Sequence, residues 1–438
     1  MNVNDIIDVR IDDSGMNGEG VARVDGKVVF VPFTLRGEKV RAVVRSVKKN
    51  YATASVIKVS EPSPHRISPT CKHYFKCGGC DTGHIDEEYR REMLLGELKN
   101  NLKKIAGIDC SPSEFVPSCG VARNKISMPF GMSCGKVVLG MYRQGTHDVE
   151  PVDCLQSSEL VREIARTVCR FADRNKLSVY NDATGRGLLR HLVVRHVGAR
   201  AAAVLVINAD RLPRVDELAA ELPSSCDFFI SRNVKRGNVI MGDCVGKVRG
   251  FDHLNVDVLG VKAELSPLSF FQVNDGVRDK LYVAALDCIT APTLIDLYSG
   301  IGITSNLAAK KCDKVYAVEC VAQAVENANR TAELNGNSDR IENVCGNVED
   351  VLPKLAPRID GDVDVLVDPP RKGCGLAVMR AIAELSPRTV VYVSCNHATM
   401  CRDIQELVSD GYYLERCTVF DMFPGTHHIE TLACFKRK

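Results

Sequence analysis

Two polar clusters in this chain of 438 residues hold residue types that could do chemistry. Asp368 begins Asp-Pro-Pro-Arg-Lys-Gly after the apolar run 363–367, and Cys395 lies in Ser-Cys-Asn after the run 389–393. Apolar, β-branched runs that stop at polar clusters are typical of buried parallel strands, whose carboxyl ends bind ligands in open α/β sheets. We therefore expect both residues to face one crevice, as an acidic contact and a thiol. A strand-ending turn and an ordinary buried cysteine are the alternative.

A glycine-bearing turn upstream could hold a cofactor at the same edge. The apolar run 293–297 breaks into a turn around Gly300, where the backbone can approach a ligand closely. The next strand ends at Glu319, the spacing at which an acid bonds ribose hydroxyls, and a third ends near Asn347. A Gly-x-Gly pattern alone would serve a dinucleotide equally well.

Three cysteines form a strong ligand pattern nearer the N-terminus. Cys71, Cys77 and Cys80 follow a C-x5-C-x2-C spacing, and two glycines between the last two let the backbone wrap tightly. A fourth ligand must come from elsewhere in the chain. Four thiolates suit either zinc or an iron–sulfur cluster, and spacing does not separate them.

Residues 3–60 predict a small β-barrel. Five short alternating strands with glycine-rich turns suit an OB-like barrel, a common nucleic-acid-binding scaffold. Between Arg36 and Lys58, basic residues greatly outnumber the single Glu38. This excess indicates either a phosphate-contacting face or a barrel edge protected by lysines.

A Pro/Ser-rich boundary at 61–69 separates this barrel from a mixed segment. Helical periodicity predicts helices over 85–108 and 158–175, with strands on either side of the second. Basic side chains on these strands could form an RNA-facing surface or plain solvent contacts; they are Arg123, Lys125, Arg190, His191, Arg195 and His196.

Composition is that of an ordinary globular protein, with 45% hydrophobic and 26% charged residues. A net charge of +2 means that any nucleic-acid binding must rest on local patches. The 19 cysteines are scattered, which favours free thiols plus one cluster over a disulfide framework. Apolar runs are too short to span a bilayer, and no signal peptide is evident. We expect a cytoplasmic monomer without membrane association.

Several motifs closely resemble those of the RNA (uracil-5-)-methyltransferases, which make 5-methyluridine in ribosomal or transfer RNA. They are Asp368-Pro-Pro-Arg-Lys-Gly, Ser394-Cys-Asn, Phe271-Gln-Val-Asn and Asp421-Met-Phe-Pro-Gly-Thr-His-His-Ile-Glu430. The N-terminal barrel is similar to a TRAM domain. Two positions depart from the family pattern: His397 stands where a Pro usually follows Ser-Cys-Asn, and Gly425 stands where a His often follows Phe-Pro.

The resemblance implies S-adenosyl-L-methionine as the cofactor. Its binding residues would be Gln272, Tyr298, Gly300, Glu319, Asn347 and Asp368. It also implies a structural 4Fe-4S cluster, with Cys154 as the distant fourth ligand beside Cys71, Cys77 and Cys80. The C-x3-C-x2-C loop of the radical methyl transferases is absent, so we do not expect radical chemistry.

The implied mechanism is covalent catalysis. Cys395 adds to C6 of uracil, which makes C5 an enolate carbon able to take the methyl group. Glu430, at the start of a last antiparallel strand, then removes the C5 proton as a base. Asp368 holds the uracil by its polar edge or helps to settle the protonation state. The target base must leave any stack to meet these groups.

The resulting fold class is α/β, with a Rossmann-like class I methyltransferase domain, an N-terminal OB-like (TRAM) barrel and a mixed α+β central domain. We predict an RNA-binding domain at 1–60, a central cluster domain at 61–92 and 119–262, and a methyltransferase domain at 93–118 and 263–438. The resemblance favours a uridine of 23S rRNA as substrate, and the T-loop uridine of tRNA comes second. A non-catalytic RNA-binding protein and a cytosine-5 or amino-group methyltransferase are the remaining alternatives; Arg371 stands where amino-group enzymes usually have an aromatic residue.

Overall fold

The N-terminal sheet surrounds a small core of its own. The computed structural model describes residues 1–15 and 17–437 of the chain. The first strands are β1 (Ile6–Arg10), β2 (Asp13–Ser14), β3 (Gly20–Val24), β4 (Lys27–Val31), β5 (Lys39–Val47) and β6 (Tyr51–Glu61). They lie in the order β1-β5-β6-β4-β3-β2. The barrel thus has six strands instead of the predicted five, because the two-residue β2 pairs with β3.

A second sheet of seven strands occupies the middle of the chain, in the order β10-β9-β8-β11-β12-β13-β14. It follows α1 (Glu87–Lys104) and β7 (Glu114–Val116), and comprises β8 (Lys125–Ser133), β9 (Lys136–Tyr142), β10 (Val149–Pro151), β11 (Leu189–Val197), β12 (Arg200–Ile207), β13 (Cys226–Arg232) and β14 (Cys244–Arg249). Its helices are α2 (Glu159–Arg174) and α3 (Val215–Glu221). The predicted helix over 158–175 is confirmed, because the Ser158 side chain accepts a hydrogen bond from the Val161 N–H and caps α2.

The C-terminal part begins with the hairpin β15 (Leu254–Val258) and β16 (Val261–Leu265). It continues through α4 (Asp275–Cys288), β17 (Thr293–Leu297), α5 (Ile303–Ala308), β18 (Lys314–Glu319), α6 (Ala322–Leu334), β19 (Ile341–Cys345), α7 (Val348–Leu355), a 3₁₀ turn (Ala356–Arg358) and β20 (Val363–Val367). The chain then forms α8 (Leu376–Leu385), β21 (Thr389–Ser394), α9 (His397–Asp403), α10 (Gln405–Ser409), β22 (Tyr412–Phe420) and β23 (Glu430–Arg437).

The C-terminal sheet has the strand order β19-β18-β17-β20-β21-β23-β22-β7. Strands β17 to β21 are parallel, whereas β23 runs antiparallel to β21. The chain moves outward from β17 to β19 and then returns to β20 on the other side of β17. The gap between β17 and β20 is therefore the topological switch point, where open α/β sheets bind ligands. This Rossmann-like arrangement confirms the predicted fold class; the domain boundaries stay a prediction.

The predicted basic surface on the central strands is wrong for Arg190 and Arg195. Arg190 and Arg195 are 4% and 2% exposed, so they lie inside the protein. Arg190 donates hydrogen bonds to the backbone carbonyls of Asn233 and Lys235 at 2.7 Å, which ties neighbouring segments together. Alternation of side chains along a strand does not say which face is covered by other elements, and here helices and loops cover both faces.

Candidate functional site

Three residues predicted to do chemistry lie at one edge of the C-terminal sheet. Asp368 directly follows β20, Cys395 directly follows β21, and Glu430 is the first residue of β23. Since Thr431 of β23 lies opposite Ser394 of the antiparallel β21, Glu430 meets the end of β21 beside Cys395. The sheet therefore brings a thiol and two carboxyl groups into one crevice.

The Ser-Cys-Asn sequence holds Cys395 between a strand and a helix. The Ser394 hydroxyl accepts a hydrogen bond from the Asn396 N–H at 3.0 Å and donates one to the Asn396 carbonyl at 2.9 Å. The Asn396 side chain caps α9 by accepting from the N–H groups of Ala398 and Thr399. Both neighbours of Cys395 are thus held in place, which orients the thiol into the crevice.

The Asp-Pro-Pro segment turns sharply after Asp368. Gly373 donates its N–H to the Pro370 carbonyl at 2.8 Å and has a φ of +80°, which favours glycine. A Cβ atom at this position would lie 2.3 Å from a carboxylate oxygen of Asp403, so no larger residue fits. The turn carries Arg371 back over the crevice.

Burial controls the protonation of this site. Burial and, to a smaller degree, the Asp368 charge raise the pKa of Glu430 well above its usual value. Burial and the nearby Asp296 charge raise the pKa of Asp368 to about 7, against a hydrogen bond from the Gln272 side chain that lowers it. Burial and the Glu430 charge raise the pKa of Cys395 to about 11. At neutral pH the thiol is therefore protonated, and the carboxyl groups are poised to exchange protons.

Arg371 is a further residue of this site that the sequence reasoning did not single out. The positive charge of its guanidinium group lowers the pKa of the Cys395 thiol and also that of Glu430. The side chain is exposed, so it can also reach a bound molecule. The signal was present in the sequence, because a cation directly after Asp-Pro-Pro must lie at the same sheet edge as the acid.

The turn after β17 has the backbone expected of a cofactor loop. Tyr298 has a φ of +64°, which is uncommon for a residue with a side chain and typical of constrained functional turns. The Gly300 N–H donates to a carboxylate oxygen of Glu319 at 3.1 Å, which joins this turn to the end of β18. Asp296, also missed by sequence reasoning, accepts hydrogen bonds from the Thr304 and Ser305 hydroxyls at 2.6 Å and fixes the start of α5.

The remaining predicted cofactor residues lie along the same edge. The Gly346 N–H donates to the Glu319 carbonyl at 3.0 Å, which brings the exposed Asn347 beside the end of β18. Gln272 is buried at the other side, and its side chain lowers the pKa of Asp368. The order across the edge is thus Asn347, Glu319, Gly300 and Asp368, followed by the cysteine.

A pocket of 140 Å³ opens at Cys395. Its walls include Glu97 of α1, Asn17 of the barrel and His397, one of the two family departures. The His397 ring nitrogen Nε2 lies 3.5 Å from a Glu97 carboxylate oxygen, and burial lowers the pKa of His397 to about 4. Burial raises the pKa of Glu97 to about 7. The pocket is smaller than the roughly 300–1,000 Å³ of drug-sized sites, so it suits a single-ring group.

The loop before Glu430 is clamped by two distant segments. Arg90 of α1 binds both carboxylate oxygens of Asp421, at 2.8 and 2.7 Å, and donates to the Thr426 carbonyl at 2.9 Å. Asp81 accepts hydrogen bonds from the His427 N–H at 2.8 Å and contacts its ring nitrogen Nδ1 at 2.6 Å. Both contacts hold the loop in a fixed position at the base of β23.

The second family departure lies in this loop. Gly425 has a φ of +77°, and its carbonyl accepts hydrogen bonds from the N–H groups of Asp81 and Thr82 at 3.0 Å. A Cβ atom at Gly425 would lie 3.5 Å from the Cys80 sulfur. The cysteine loop therefore packs directly against the segment that leads to Glu430.

The four predicted cluster cysteines come from two segments of the chain, since Cys154 lies far in sequence from Cys71, Cys77 and Cys80. Cys77 has its pKa raised by burial and by the charges of Cys154 and Cys71, and burial and the charges of Cys154 and Cys77 raise the pKa of Cys80 to about 11. The Gly79 N–H donates to the Cys77 sulfur at 3.3 Å. In number and type these donors fit an iron–sulfur cluster. Among the described residues, however, no group of three or more His, Cys, Asp or Glu side chains is arranged to hold a metal ion, and the cluster stays a prediction.

None of the helices in residues 1–15 and 17–437 is both long and apolar enough to cross a membrane.

Three family models match the chain. The tRNA (uracil-5-)-methyltransferase model matches residues 361–438, the TRAM domain model matches 2–57, and an RNA cap guanine-N2 methyltransferase model matches 291–378.

Relatives and a solved structure cover nearly the whole chain. A protein of Clostridium acetobutylicum named an uncharacterized RNA methyltransferase is 34% identical over 99% of this chain and 97% of its own length. A Bacillus cereus protein of the same description is 35% identical over the same shares. The tRNA (uracil-54, C5)-methyltransferase of Pyrococcus abyssi, solved with S-adenosyl-L-homocysteine, has a TM-score of 0.76 at 24% identity. The match covers 98% of this chain and 100% of that one, which shows a shared fold.

The parallel sheet, its cofactor turn and these full-length relatives agree on one class of enzyme. The chain is an S-adenosyl-L-methionine-dependent RNA methyltransferase, and it belongs to the TRAM-containing RNA (uracil-5-)-methyltransferase family.

Proposed function

We propose that this enzyme methylates C5 of a uridine in RNA through a covalent adduct between Cys395 and C6 of the uracil. The observation that carries the proposal is the Cys395 thiol, which lines a single-ring pocket and lies at the same sheet edge as two carboxyl groups of raised pKa. Uracil C5 is a poor nucleophile until a thiolate has added to C6. A cysteine with no base beside it would not serve this reaction.

Each proton in the cycle has a place to go. The Cys395 thiol passes its proton to the Asp368 carboxylate as its sulfur bonds to C6, and C5 becomes the enolate carbon. C5 then takes the methyl group from the sulfonium of S-adenosyl-L-methionine, which leaves as S-adenosyl-L-homocysteine. Glu430 removes the C5 proton, the C6–S bond breaks, and the leaving thiolate takes its proton back from Asp368, while Glu430 releases the C5 proton to water.

The cofactor would be held along the sheet edge described above. We assign Glu319 to the ribose hydroxyls, Asn347 to the adenine and the turn at Tyr298 and Gly300 to the backbone contacts with the cofactor. Asp368, between this turn and Cys395, would bind the polar edge of the uracil or supply the proton that its carbonyl oxygen needs as the enolate forms. Arg371 would stabilise the Cys395 thiolate.

Two substitutions test the two ends of the cycle. Cys395→Ala should abolish both methylation and any covalent protein–RNA species. Glu430→Gln keeps the shape of the side chain but cannot accept a proton near neutral pH, so methyl transfer should occur and elimination should stall. Gel electrophoresis after denaturation, with methyl-labelled S-adenosyl-L-methionine, should then show a labelled protein–RNA adduct.

The adduct should disappear from the Cys395→Ala/Glu430→Gln double variant. An adduct that survives loss of Cys395 would identify another nucleophile. Near-normal turnover by Glu430→Gln without an adduct would assign the base role to water or another residue. A non-catalytic RNA-binding protein would release no tritium from 5-labelled uridine in RNA under any condition.

We propose 23S rRNA as the substrate, on the resemblance to the cluster-containing, TRAM-containing branch of the family. A T-loop uridine of tRNA is the second candidate, and the fold shared with the Pyrococcus abyssi tRNA enzyme supports it. Mapping 5-methyluridine in the rRNA and tRNA of a deletion strain would decide between them, because only the true target loses the modification.

We also propose that Cys71, Cys77, Cys80 and Cys154 hold a 4Fe-4S cluster that orders the cysteine loop. Protein purified without oxygen should be brown and contain about four irons per chain, as four cysteine ligands imply. Cys77→Ser should lower the iron content and the melting temperature while S-adenosyl-L-methionine binding by calorimetry changes little. A colourless wild-type protein that contains one zinc per chain would contradict the proposal.

A further inference from the structure

The Cys395 pocket shares one of its walls with a second cleft. Asn17, on the loop between β2 and β3, lines both the Cys395 pocket and a cleft of 360 Å³ between the barrel and the cysteine loop. Gln144, on the loop between β9 and β10, forms its outer side. A chain that places one nucleotide against Cys395 would therefore extend past Asn17 into this cleft.

The barrel wall of the cleft is aromatic. Phe30 of β4 and Tyr51 of β6 meet edge to face, with ring centroids 5.7 Å apart and a 73° angle between the rings. Tyr51 is 40% exposed, so a face of its ring remains open to the cleft. An open aromatic face beside a β-barrel is the surface on which single-stranded nucleic acids stack their bases.

The charges of the cleft favour a base over a phosphate group. Glu19 and Asp81 line it, and their negative charges would repel a phosphate. Carboxylate oxygens accept hydrogen bonds from the N–H groups of bases, including N3–H of uracil, and the Thr53 hydroxyl and the Gln144 amide add further polar partners. The cleft therefore suits the base of a nucleotide, and the phosphate groups would lie outside it.

A basic cleft lies beside it for the phosphates. Phe33 and Gln144 line both the aromatic cleft and a third cleft of 710 Å³. The third cleft is lined by the exposed Lys58 and Lys76, and by Phe75, which is 57% exposed. Positive charge next to a stacking surface is the arrangement that binds an RNA strand.

We propose that Phe30 and Tyr51 form a stacking site for an unpaired base that flanks the target nucleotide of the same RNA strand. The strand runs from the Cys395 pocket past Asn17, over Tyr51, and on to Lys58 and Lys76. The identity of the nucleotide at Cys395 rests on the proposed function, but stacking at Tyr51 does not require methyl transfer.

Photochemical cross-linking locates the base directly. The probe is a single-stranded oligouridylate of about ten nucleotides with 5-iodouridine in place of uridine, which cross-links to aromatic side chains on which it stacks. We expect cross-linked peptides that contain Phe30 or Tyr51, identified by mass spectrometry, in both the wild type and Cys395→Ala. Cross-links confined to peptides outside the barrel would overturn the proposal.

Affinity measurements supply a second readout without S-adenosyl-L-methionine. Tyr51→Leu should weaken binding of the fluorescein-labelled oligouridylate about tenfold, because a stacked base is lost. Tyr51→Trp keeps a flat aromatic face and should bind like the wild type. Tyr413→Leu removes an exposed tyrosine of β22, which is 42% exposed, and serves as the matched control.

Equal affinity of Tyr51→Leu and the wild type would contradict the stacking site, as would an equal loss in Tyr413→Leu. Failure of the proposed function gives a different pattern: no 5-methyluridine forms, yet the oligouridylate still depends on Tyr51. Loss of the Tyr51 dependence with intact methylation would refute only the stacking site.

Discussion

At the Cys395 thiol, burial has opposite effects on the two ends of the reaction. It raises the pKa of the thiol to about 11, which makes the attacking thiolate scarce at neutral pH. It also raises the pKa of Glu430, which makes that carboxylate a stronger base for the C5 proton. Arg371 offsets the first effect because its guanidinium group favours the thiolate. The site thus keeps Glu430 as a strong base, and the nearby Arg371 increases the fraction of Cys395 that is present as thiolate.

The buried carboxyl group of Glu430 should make stability depend on pH. Its pKa is higher in the folded protein than in the unfolded chain, so its favourable contribution is fully present below the unfolded value of about 4.3. The contribution is lost as the pH rises through the raised folded value. Glu430→Gln carries no charge at any pH and should raise stability by at least about 1 kcal/mol at pH 8, with a smaller gain at pH 5.

Melting temperatures of the variant and the wild type at both pH values check this expectation, with a difference of about 2–4 °C per kcal/mol. Asp362→Asn is the matched control, since Asp362 is an exposed carboxyl group paired with Arg388 at the surface. It should change stability by less than about 1 kcal/mol. An equal gain of Glu430→Gln at both pH values would mean that the Glu430 carboxyl group does not titrate differently on folding.

At the scale of elements, strand ends could be predicted and long-range contacts could not. The apolar runs before Asp368 and Cys395 form β20 and β21 as expected, since local composition determines whether a run is a buried strand. The contact of Arg90 with Asp421 joins residues 331 positions apart and has no local signal. The burial of Arg195 was missed for the same reason, because neighbouring segments cover its strand.

Among the contacts between elements, loss of the Arg90–Asp421 ion pair should affect the position of the catalytic base Glu430 most. Both side chains are buried, at 5% and 4% exposure, and Arg90 also donates to the Thr82 hydroxyl at 3.0 Å. Arg90→Met leaves the Asp421 charge buried without its partner, which typically costs about 3–5 kcal/mol. It should lower the melting temperature by several degrees and lower kcat by loosening the loop that leads to Glu430.

A double variant shows how much of the lost stability comes from the unpaired Asp421 charge. Arg90→Met/Asp421→Leu removes both charges and should recover much of the lost stability. Arg388→Met, which breaks an exposed pair, should cost no more than about 1 kcal/mol. If Arg90→Met lowered stability but left kcat unchanged, the clamp would be structural only and Glu430 would be positioned by β23 alone.

At the scale of the whole molecule, RNA binding must come from the distribution of charge. The net charge is only +2, so no general attraction to RNA exists. The one acid of the basic barrel segment, Glu38, is buried and paired with Arg66, and hydrogen bonds from Arg66, Leu35 and Ser63 lower its pKa despite burial. That pair also ties the barrel to the following segment. Glu38 therefore does not offset the positive charge of the solvent-exposed Lys and Arg side chains of this segment.

Salt dependence should reveal which of these charges contact phosphates. Each phosphate contact of a single strand contributes about −0.7 to the slope of log affinity against log salt concentration. Lys58→Ala/Lys76→Ala should therefore flatten the slope for oligouridylate by about 1.4 and weaken binding most at low salt. Lys354→Ala/Lys104→Ala removes two lysines of α7 and α1 and should leave the slope unchanged. If both double variants flattened the slope alike, attraction would be general; if neither did, the strand would leave the Cys395 pocket by another route.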